Sequence, residues 1–339
     1  MPDIIDLRSD TLTRVCKSDV ETLDFAKIGD DCYGEDRYVR ELEAYCAELF
    51  GKEAALFMPS GTMSNQVGLR CLAAPGDEIV TEVGYHINFF ESSAVSANSG
   101  LVLNPYHSAD GVLTADDARR AIHAKARWSG LYAVPKVVAI ESSINTYGGI
   151  VYPAAEMLRM RALCDEMGMS LYLDGARVLN ACSHLDLSPA RYARPADMLN
   201  FCFSKGVGAP FGSILAGPAH KIEAAKVFRK WYGGCLHQSG LMAGIALDKM
   251  RRWQQATQED NEKARILGDR LSAAARLKYP VETNMVFIET TDAKSMVARL
   301  AERGVLALAW KPDLVRFISS SLVTRGQVER AADIIRASL

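Results

Sequence analysis

Short apolar runs alternate with segments of helical periodicity between about residues 54 and 230. The runs are rich in β-branched and aromatic residues, which is typical of buried strands. They predict strands at Ala54–Met58, Glu78–Val83, Leu101–Tyr106, Lys136–Glu141, Ser170–Asp174, Met198–Phe203 and Ser213–Ala216. Helices are predicted between most of them, for example at Thr62–Ala73 and Ala154–Met167. This alternation favours an α/β fold, a mostly parallel sheet between helices. Because the last two runs are too close for a helix between them, we expect one of those strands to run antiparallel.

The pattern changes after residue 240. A proline-free helical region extends from Leu241 to about Ala275. Further strands are then predicted at Asn284–Glu289, Val305–Ala309 and Leu314–Ser319, with helices near Ala293–Glu302 and Thr324–Ala337. We therefore expect a large domain at residues 1–250 and a small C-terminal α+β domain at residues 251–339.

Composition and charge exclude several classes of function. The net charge is −2, so no basic field is present to hold nucleic acid. The six histidines show no metal-ligand spacing, and none of the eight cysteines forms a Cys-x-x-Cys pair, so no metal is expected. Reduced thiols inside apolar runs are typical of a cytoplasmic protein. The segment Met1–Asp10 is polar, and no apolar run approaches about 18 residues, so neither a signal peptide nor a membrane span is expected.

Polar residues stand at the ends of two predicted strands. Asp174 ends the run that begins at Ser170, where the carboxyl end of a parallel strand faces the ligand crevice. Taken alone, such an aspartate equally begins a turn. Ser204 and Lys205 follow the run Met198–Phe203, where desolvation favours the neutral, nucleophilic amine. Taken alone, a lysine there equally reaches solvent.

Two further segments complete a candidate cofactor site. Ser60, Gly61 and Thr62 lie between a strand and a helix, where exposed amides and hydroxyls bind an anion or simply cap the helix. His86 follows Glu78–Val83 and has either a structural role or a stacking role against an aromatic ring. Together the four segments fit pyridoxal 5'-phosphate (PLP), which needs a phosphate cradle, an imine-forming lysine and an acid against its pyridine nitrogen.

Longer motifs carry a family resemblance over nearly the whole chain. They are Asp6–Thr11, Gly29–Asp36, Glu41–Glu43, Phe50–Ala55, Pro59–Met63 with Asn65-Gln66, Leu173–Arg177 with Asn180-Ala181, and Phe201–Ser213. On these motifs the chain resembles the L-threonine aldolases, which belong to the aromatic amino acid beta-eliminating lyase/threonine aldolase superfamily. The resemblance implies PLP as cofactor and the aspartate-aminotransferase fold type.

The resemblance also implies a role for individual residues. Lys205 would form the Schiff base, Asp174 would pair with the pyridine nitrogen, and His86 would stack on the ring. Cofactor contacts would further include Ser60, Gly61, Thr62, Arg177 and Ser204. The substrate carboxylate or the cofactor would be bound by Ser9, Arg177 and Arg316.

Family members are usually tetramers built from dimers, with sites at the dimer interface, so the resemblance implies a homodimer or homotetramer. The resemblance therefore implies that Tyr33 and the segment from Arg229 to Gln238 reach a neighbour's site. Within that segment, Lys230 and His237 are candidate cofactor contacts.

The chain departs from the family pattern at two places. Ile144 stands where the family has a second active-site histidine, linked to the substrate's β-hydroxyl. Isoleucine can neither accept a proton nor donate a hydrogen bond. The family's Gly-Gly-Gly-Met-Arg-Gln motif reads Gly233-Gly234-Cys235-Leu236-His237-Gln238, so His237 replaces an arginine that helps to hold phosphate. Lys230 can still supply charge.

Two functions stay open at this stage. One is a PLP-dependent aldolase that cleaves an L-β-hydroxy-α-amino acid of the threonine, allo-threonine or phenylserine type to glycine and an aldehyde, with water or His107 as the base. The other is a PLP-dependent racemase, β-eliminating lyase or biosynthetic tailoring enzyme acting on a small amino acid. A pseudoenzyme is a third reading, which the intact Asp174 and Lys205 oppose.

Overall fold

The computed structural model describes residues 4–339, so the first three residues of the polar segment Met1–Asp10 lie outside the described part. Its strands are β1 Ile5–Asp6, β2 Ala54–Met58, β3 Glu78–Glu82, β4 Val102–Tyr106, β5 Pro135–Glu141, β6 Ser170–Asp174, β7 Met198–Cys202, β8 Ser213–Gly217, β9 Met285–Glu289, β10 Val305–Leu306, β11 Leu308–Lys311 and β12 Leu314–Ile318. Its α-helices are α1 Lys17–Glu21, α2 Arg37–Phe50, α3 Gly61–Leu72, α4 His86–Phe89, α5 Ala94–Ser99, α6 Ala115–His123, α7 Ala154–Met167, α8 Val178–Leu185, α9 Pro189–Ala193, α10 Ala219–Trp231, α11 Gly240–Met250, α12 Trp253–Leu271, α13 Ala293–Glu302 and α14 Arg325–Arg336.

The large sheet has seven strands in the order β2-β8-β7-β6-β5-β3-β4. β8 is antiparallel to both of its neighbours, and the other pairs are parallel. The expected mostly parallel sheet with one reversed strand is therefore confirmed.

Helices cover both faces of this sheet, so its central strands are buried on both sides. Along β6, Leu171 and Leu173 pack into a core that includes residues of α7 and α8. Tyr172, between them, packs on the opposite face against Val67 and Leu69 of α3. Polar residues at the ends of these buried strands are consequently the ones that can reach a ligand.

A three-stranded antiparallel sheet, β11-β12-β9, lies in the C-terminal part of the chain. A separate two-stranded parallel pair joins β1 to β10. Ile5 and Leu7 of the N-terminal segment are buried in the same core as residues of α13, α14 and β12. The division at residues 250 and 251 stays a prediction, because α12 contacts both α8 and α14.

Two predicted elements are each divided in the structure. The helical region from Leu241 to Ala275 consists of α11 and α12, separated at Arg251 and Arg252. α11 packs on α2, whereas α12 packs on α8 and α14, so tertiary contacts redirect the chain where no glycine or proline marks a break. The predicted strand Val305–Ala309 is likewise split, since β10 pairs with β1 and β11 pairs with β12. Within residues 4–339, no helix is both long and apolar enough to cross a membrane.

Candidate active site

A cavity of about 120 Å³ opens at the carboxyl ends of the central strands. It brings together the residues that end β6 and β7 and those that begin α3. Its lining consists of Gly61, Thr62, Asn65, His86, Asp174, Ala176, Asn200, Cys202, Ser204 and Lys205. Six of the predicted site residues therefore share one cavity, and Ser60 lies immediately beside them as the N-cap of α3.

Asp174 is buried and fixed by two asparagine amides. Asn65 Nδ2 donates to its Oδ2 at 2.8 Å, and Asn200 Nδ2 donates to its Oδ1 at 2.8 Å. The backbone N–H of Ala176 donates to the same Oδ1 at 3.2 Å. These three contacts fix the direction of the carboxyl group. Asn65 and Asn200 were not predicted as site residues, although Asn65 lies within a family motif.

The start of α3 forms a close turn beside Asp174. Ser60 Oγ accepts a hydrogen bond from the N–H of Met63 at 3.2 Å, so the helix is capped as expected. A Cβ at Gly61 would lie 2.4 Å from Cys202 Sγ, so only glycine fits there. The first amides of α3 therefore stay accessible to an anion.

His86 begins α4 and is oriented by two buried glutamates. Its Nδ1 lies 2.9 Å from Glu91 Oε1, and its backbone N–H donates to Glu141 Oε2 at 2.6 Å. Burial lowers the pKa of the His86 imidazole, but the hydrogen bond to Glu91 and the charge of Asp174 outweigh burial and raise it. Glu91 also accepts from Asn65 at 2.7 Å and so couples His86 to the Asp174 cluster.

Arg177 forms a buried ion pair with Asp10 of the N-terminal segment. Its Nε and Nη2 donate to the two carboxylate oxygens at 2.7 Å each. Burial alone raises the pKa of Asp10, but the charge and hydrogen bonds of Arg177 outweigh it and lower the pKa to about 2. The guanidinium of Arg177, which is predicted to contact the substrate or the cofactor, is therefore paired with Asp10. Ser9, next to Asp10, accepts from the N–H of Thr11 at 3.2 Å.

Arg316 on β12 approaches the site from the C-terminal sheet. Its Nη1 donates to Asn145 Oδ1 at 3.1 Å, and its guanidinium lies 4.3 Å from the centre of the Trp310 ring. Its buried Nε has no hydrogen-bond partner among residues 4–339. Burial, followed by the nearby charge of Arg177, lowers the pKa of Arg316 to about 10. This buried cation with an open donor is suited to an incoming carboxylate.

The residues expected to serve a neighbouring subunit lie outside the cavity. Tyr33 and Lys230 are exposed and line a separate cavity of about 630 Å³. His237 is 74% exposed and lies 2.9 Å from Asp30 through its Nδ1. Within the single chain they make no contribution to the cavity around Asp174.

Ile144 is fully buried in the hydrophobic core and does not line the cavity. Its N–H donates to the carbonyl of Ile150 at 2.8 Å. His107, the alternative base, is 81% exposed, with its Nδ1 4.0 Å from Glu82 Oε1. Neither residue therefore provides a buried base next to Lys205.

These residues fit PLP by their chemistry. Asp174 supplies a fixed acid, Lys205 supplies an amine, and Gly61 leaves space at a helix start for a phosphate. His86 provides an aromatic face at the same cavity.

Comparison with known proteins gives a consistent result. The family model described as beta-eliminating lyase matches residues 6–293. The chain is 32% identical to the low specificity L-threonine aldolase of Escherichia coli K12 over 339 residues, covering 99% of each protein. It is 34% identical to that of Saccharomyces cerevisiae over 305 residues, covering 88% of this chain and 78% of the yeast protein.

The fold has a close likeness in a solved structure of a threonine aldolase from Leishmania major. The two chains are 22% identical, with a TM-score of 0.85 over 98% of this chain and 99% of the other. This likeness confirms the expected aspartate-aminotransferase-like fold.

Proposed function

The chain belongs to the beta-eliminating lyase family, and on that premise we propose a PLP-dependent aldolase that cleaves an L-β-hydroxy-α-amino acid to glycine and an aldehyde. The proposal is supported above all by the shared cavity of Asp174, Lys205 and the start of α3. The full-length similarity to low specificity L-threonine aldolases supports the same reaction.

The cofactor would be held by residues from three parts of the large sheet. Lys205 Nζ would bind its carbonyl carbon, and the first amides of α3 with Ser60, Thr62 and Ser204 would bind its phosphate. Asp174, oriented by Asn65 and Asn200, would keep a proton on the ring nitrogen. When bound, PLP accepts the electron pair that remains at Cα as a bond to that carbon breaks.

The substrate would be oriented by a residue of the C-terminal sheet. Arg316 would bind its carboxylate through the donor that has no protein partner, with Asn145 and Trp310 holding the guanidinium in place. Arg177 and Ser9 would contact the substrate beside Arg316. His86, held by Glu91 and Glu141, would contact the cofactor ring and limit water at the reacting carbon.

A second candidate function is favoured by Ile144. A fully buried isoleucine provides no base for a β-hydroxyl, and this suits racemisation, β-elimination or a tailoring reaction on a small amino acid. The aldolase stands first because the chain is similar to low specificity L-threonine aldolases over nearly its full length.

Assembly and location complete the proposal. A homodimer or homotetramer would place Tyr33, Lys230 and His237 of one subunit at the neighbour's site. Their exposure in the single chain is compatible with this arrangement. A cytoplasmic location and the division into residues 1–250 and 251–339 are likewise retained as predictions.

The reaction is tested by incubating the PLP-loaded protein separately with L-threonine, L-phenylserine and L-alanine. The aldolase predicts glycine together with acetaldehyde or benzaldehyde. Formation of D-alanine with no aldehyde from either hydroxy amino acid would reject it in favour of the second function. Lys205→Ala should abolish both the visible absorbance of bound PLP and the activity, whereas the surface variant Lys226→Ala should keep both.

A further inference from the structure

Asp30, Cys32 and His237 bring metal-binding donor atoms together on the surface outside the candidate active site, and Cys235 lies beside Cys32. Cys32 Sγ lies 3.2 Å from Cys235 Sγ, and both cysteines are free thiols. His237 Nδ1 lies 2.9 Å from Asp30 Oδ2. Donor atoms of Asp30, Cys32 and His237 all lie within 4.8 Å of one another. None of the four lines the cavity around Lys205.

The two segments that carry these side chains are fixed against each other. The N–H of Asp31 donates to the carbonyl of His237 at 2.7 Å, and Arg229 pairs with Asp31 at 3.0 Å. Gly34 ends the first segment, and Gly233 turns the chain into the second, both with a positive φ. The side chains are thus presented by backbone that is held in place without a metal.

We propose that Asp30, Cys32 and His237 form a zinc-binding site, and that Cys235 completes it as the fourth ligand when its side chain turns toward the ion. Two thiolates, an imidazole and a carboxylate are the ligands that Zn²⁺ prefers, in a tetrahedral arrangement. Cys235 Sγ lies 3.2 Å from Cys32 Sγ but outside the group formed by the other three donors, so its side chain must rotate to complete a tetrahedron. Cys32 and His237 are exposed in the single chain, which leaves room for that adjustment.

Spacing along the chain did not indicate this site, because Cys32 and Cys235 are 203 residues apart. Cys235 and His237 are both departures from the family's Gly-Gly-Gly-Met-Arg-Gln motif, and here they converge on Cys32 and Asp30. Because zinc binds thiolates, its binding would displace the thiol protons.

Zinc at this position would have a structural effect. It would join the segment that carries Tyr33 to the turn between α10 and α11, on the surface proposed to face a neighbouring subunit. A metal-bound imidazole is neutral, so His237 would not supply positive charge to a neighbour's phosphate, and Lys230 would remain the cation for that contact.

The test measures metal content of the PLP-loaded protein, purified with a reductant and without chelator. Zn²⁺ or Co²⁺ is added, the protein is desalted, and bound metal is counted per subunit by mass spectrometry. Wild type and the matched control Cys16→Ser, which changes another exposed cysteine, should retain about one ion per subunit. Cys32→Ser/Cys235→Ser and His237→Asn should reduce affinity by more than about tenfold, the loss typical even for supporting residues of metal sites.

A Co²⁺ difference spectrum of the wild type provides a measurement that needs no variant. Thiolate-to-cobalt charge transfer with strong tetrahedral bands is the expected signature. Equal metal retention by wild type and the folded double variant, or a wild-type spectrum without charge transfer, would overturn the proposal. Isolation of a Cys32–Cys235 disulfide that binds no metal after reduction would also overturn it. These readouts are independent of aldolase activity, so failure here leaves the proposed reaction untouched.

Discussion

Glu141 and Asp174 are register partners at the carboxyl ends of β5 and β6, which places two buried carboxyl groups side by side next to the cavity. Glu141 accepts from the N–H of His86 at 2.6 Å and from the N–H of Asn145 at 2.8 Å. It thereby connects the residue proposed to stack on the cofactor with the residue that holds Arg316. Burial and the charge of Asp174 raise the pKa of Glu141 to about 7.

This raised pKa predicts a loss of stability with rising pH. The folded protein holds the Glu141 proton between pH 4.5 and about 7 while the unfolded chain releases it, so the contribution of Glu141 falls across that window. The largest contribution of Glu141 to the free energy of unfolding, below pH 4.5, is about 3 kcal/mol, because a pKa difference of one corresponds to about 1.4 kcal/mol. Urea unfolding of cofactor-free wild type and Glu141→Gln should show the difference, wild type minus variant, falling from pH 5 to 8. A constant difference would contradict the prediction.

The buried pair of Asp10 and Arg177 predicts the opposite pH dependence. Because the pKa of Asp10 is lowered to about 2, its stabilisation is complete above pH 4 and is lost as pH falls toward 2. Asp10→Asn should reduce the free energy of unfolding at pH 7 by about 3–5 kcal/mol, since Arg177 is left buried without a charged partner. Asp6→Asn is the matched control on the same segment. Its pair with Arg8 is partly exposed, and a loss below about 1 kcal/mol is expected.

The close contact at Gly61 allows a steric test of the proposed phosphate site at the start of α3. In Gly61→Ala the new Cβ would meet the buried Cys202 Sγ at 2.4 Å, so the start of α3 must shift. We expect weaker PLP binding, measured by spectroscopic titration, and a stability loss of about 1–3 kcal/mol. Gly326→Ala, at the start of α14 with nothing near its Cβ, should keep PLP affinity and change stability by no more than about 1 kcal/mol. Equal PLP affinities for the two variants would argue against the cradle.

We expect loss of the Trp310 ring to weaken substrate binding with little effect on cofactor binding. Its ring lies 4.3 Å from the Arg316 guanidinium, and such a contact contributes about 0.5–2 kcal/mol. Trp310→Ala should raise KM for the amino acid by about 3- to 30-fold, with a smaller change in kcat. Trp310→Phe should restore part of the loss because a ring face is kept. A KM unchanged in Trp310→Ala would show that this ring does not orient Arg316.

The positions of Asp174 and Lys205 could be predicted because both residues stand where a strand ends. Asp174 and Lys205 come directly after apolar runs, and parallel strands align their carboxyl ends at one edge. The residues that orient them could not be predicted this way. Glu91, Asn200 and Asp10 act through contacts between segments far apart in sequence, and no local periodicity marks such a contact. The departure from the family pattern at Ile144 stays a prediction, and the burial of Ile144 in the core depends on packing that the sequence does not display.

The pairing of β1 with β10 has a consequence for the order in which the protein assembles. Ile5 must wait for Val305 to be synthesised before it can join its strand partner, and Asp10 follows only a few residues later. This closes a loop almost as long as the whole chain, and contacts of such sequence separation form late. The strands of the large sheet all lie between residues 54 and 217, so we expect that sheet to form before β10 fixes the N-terminal segment.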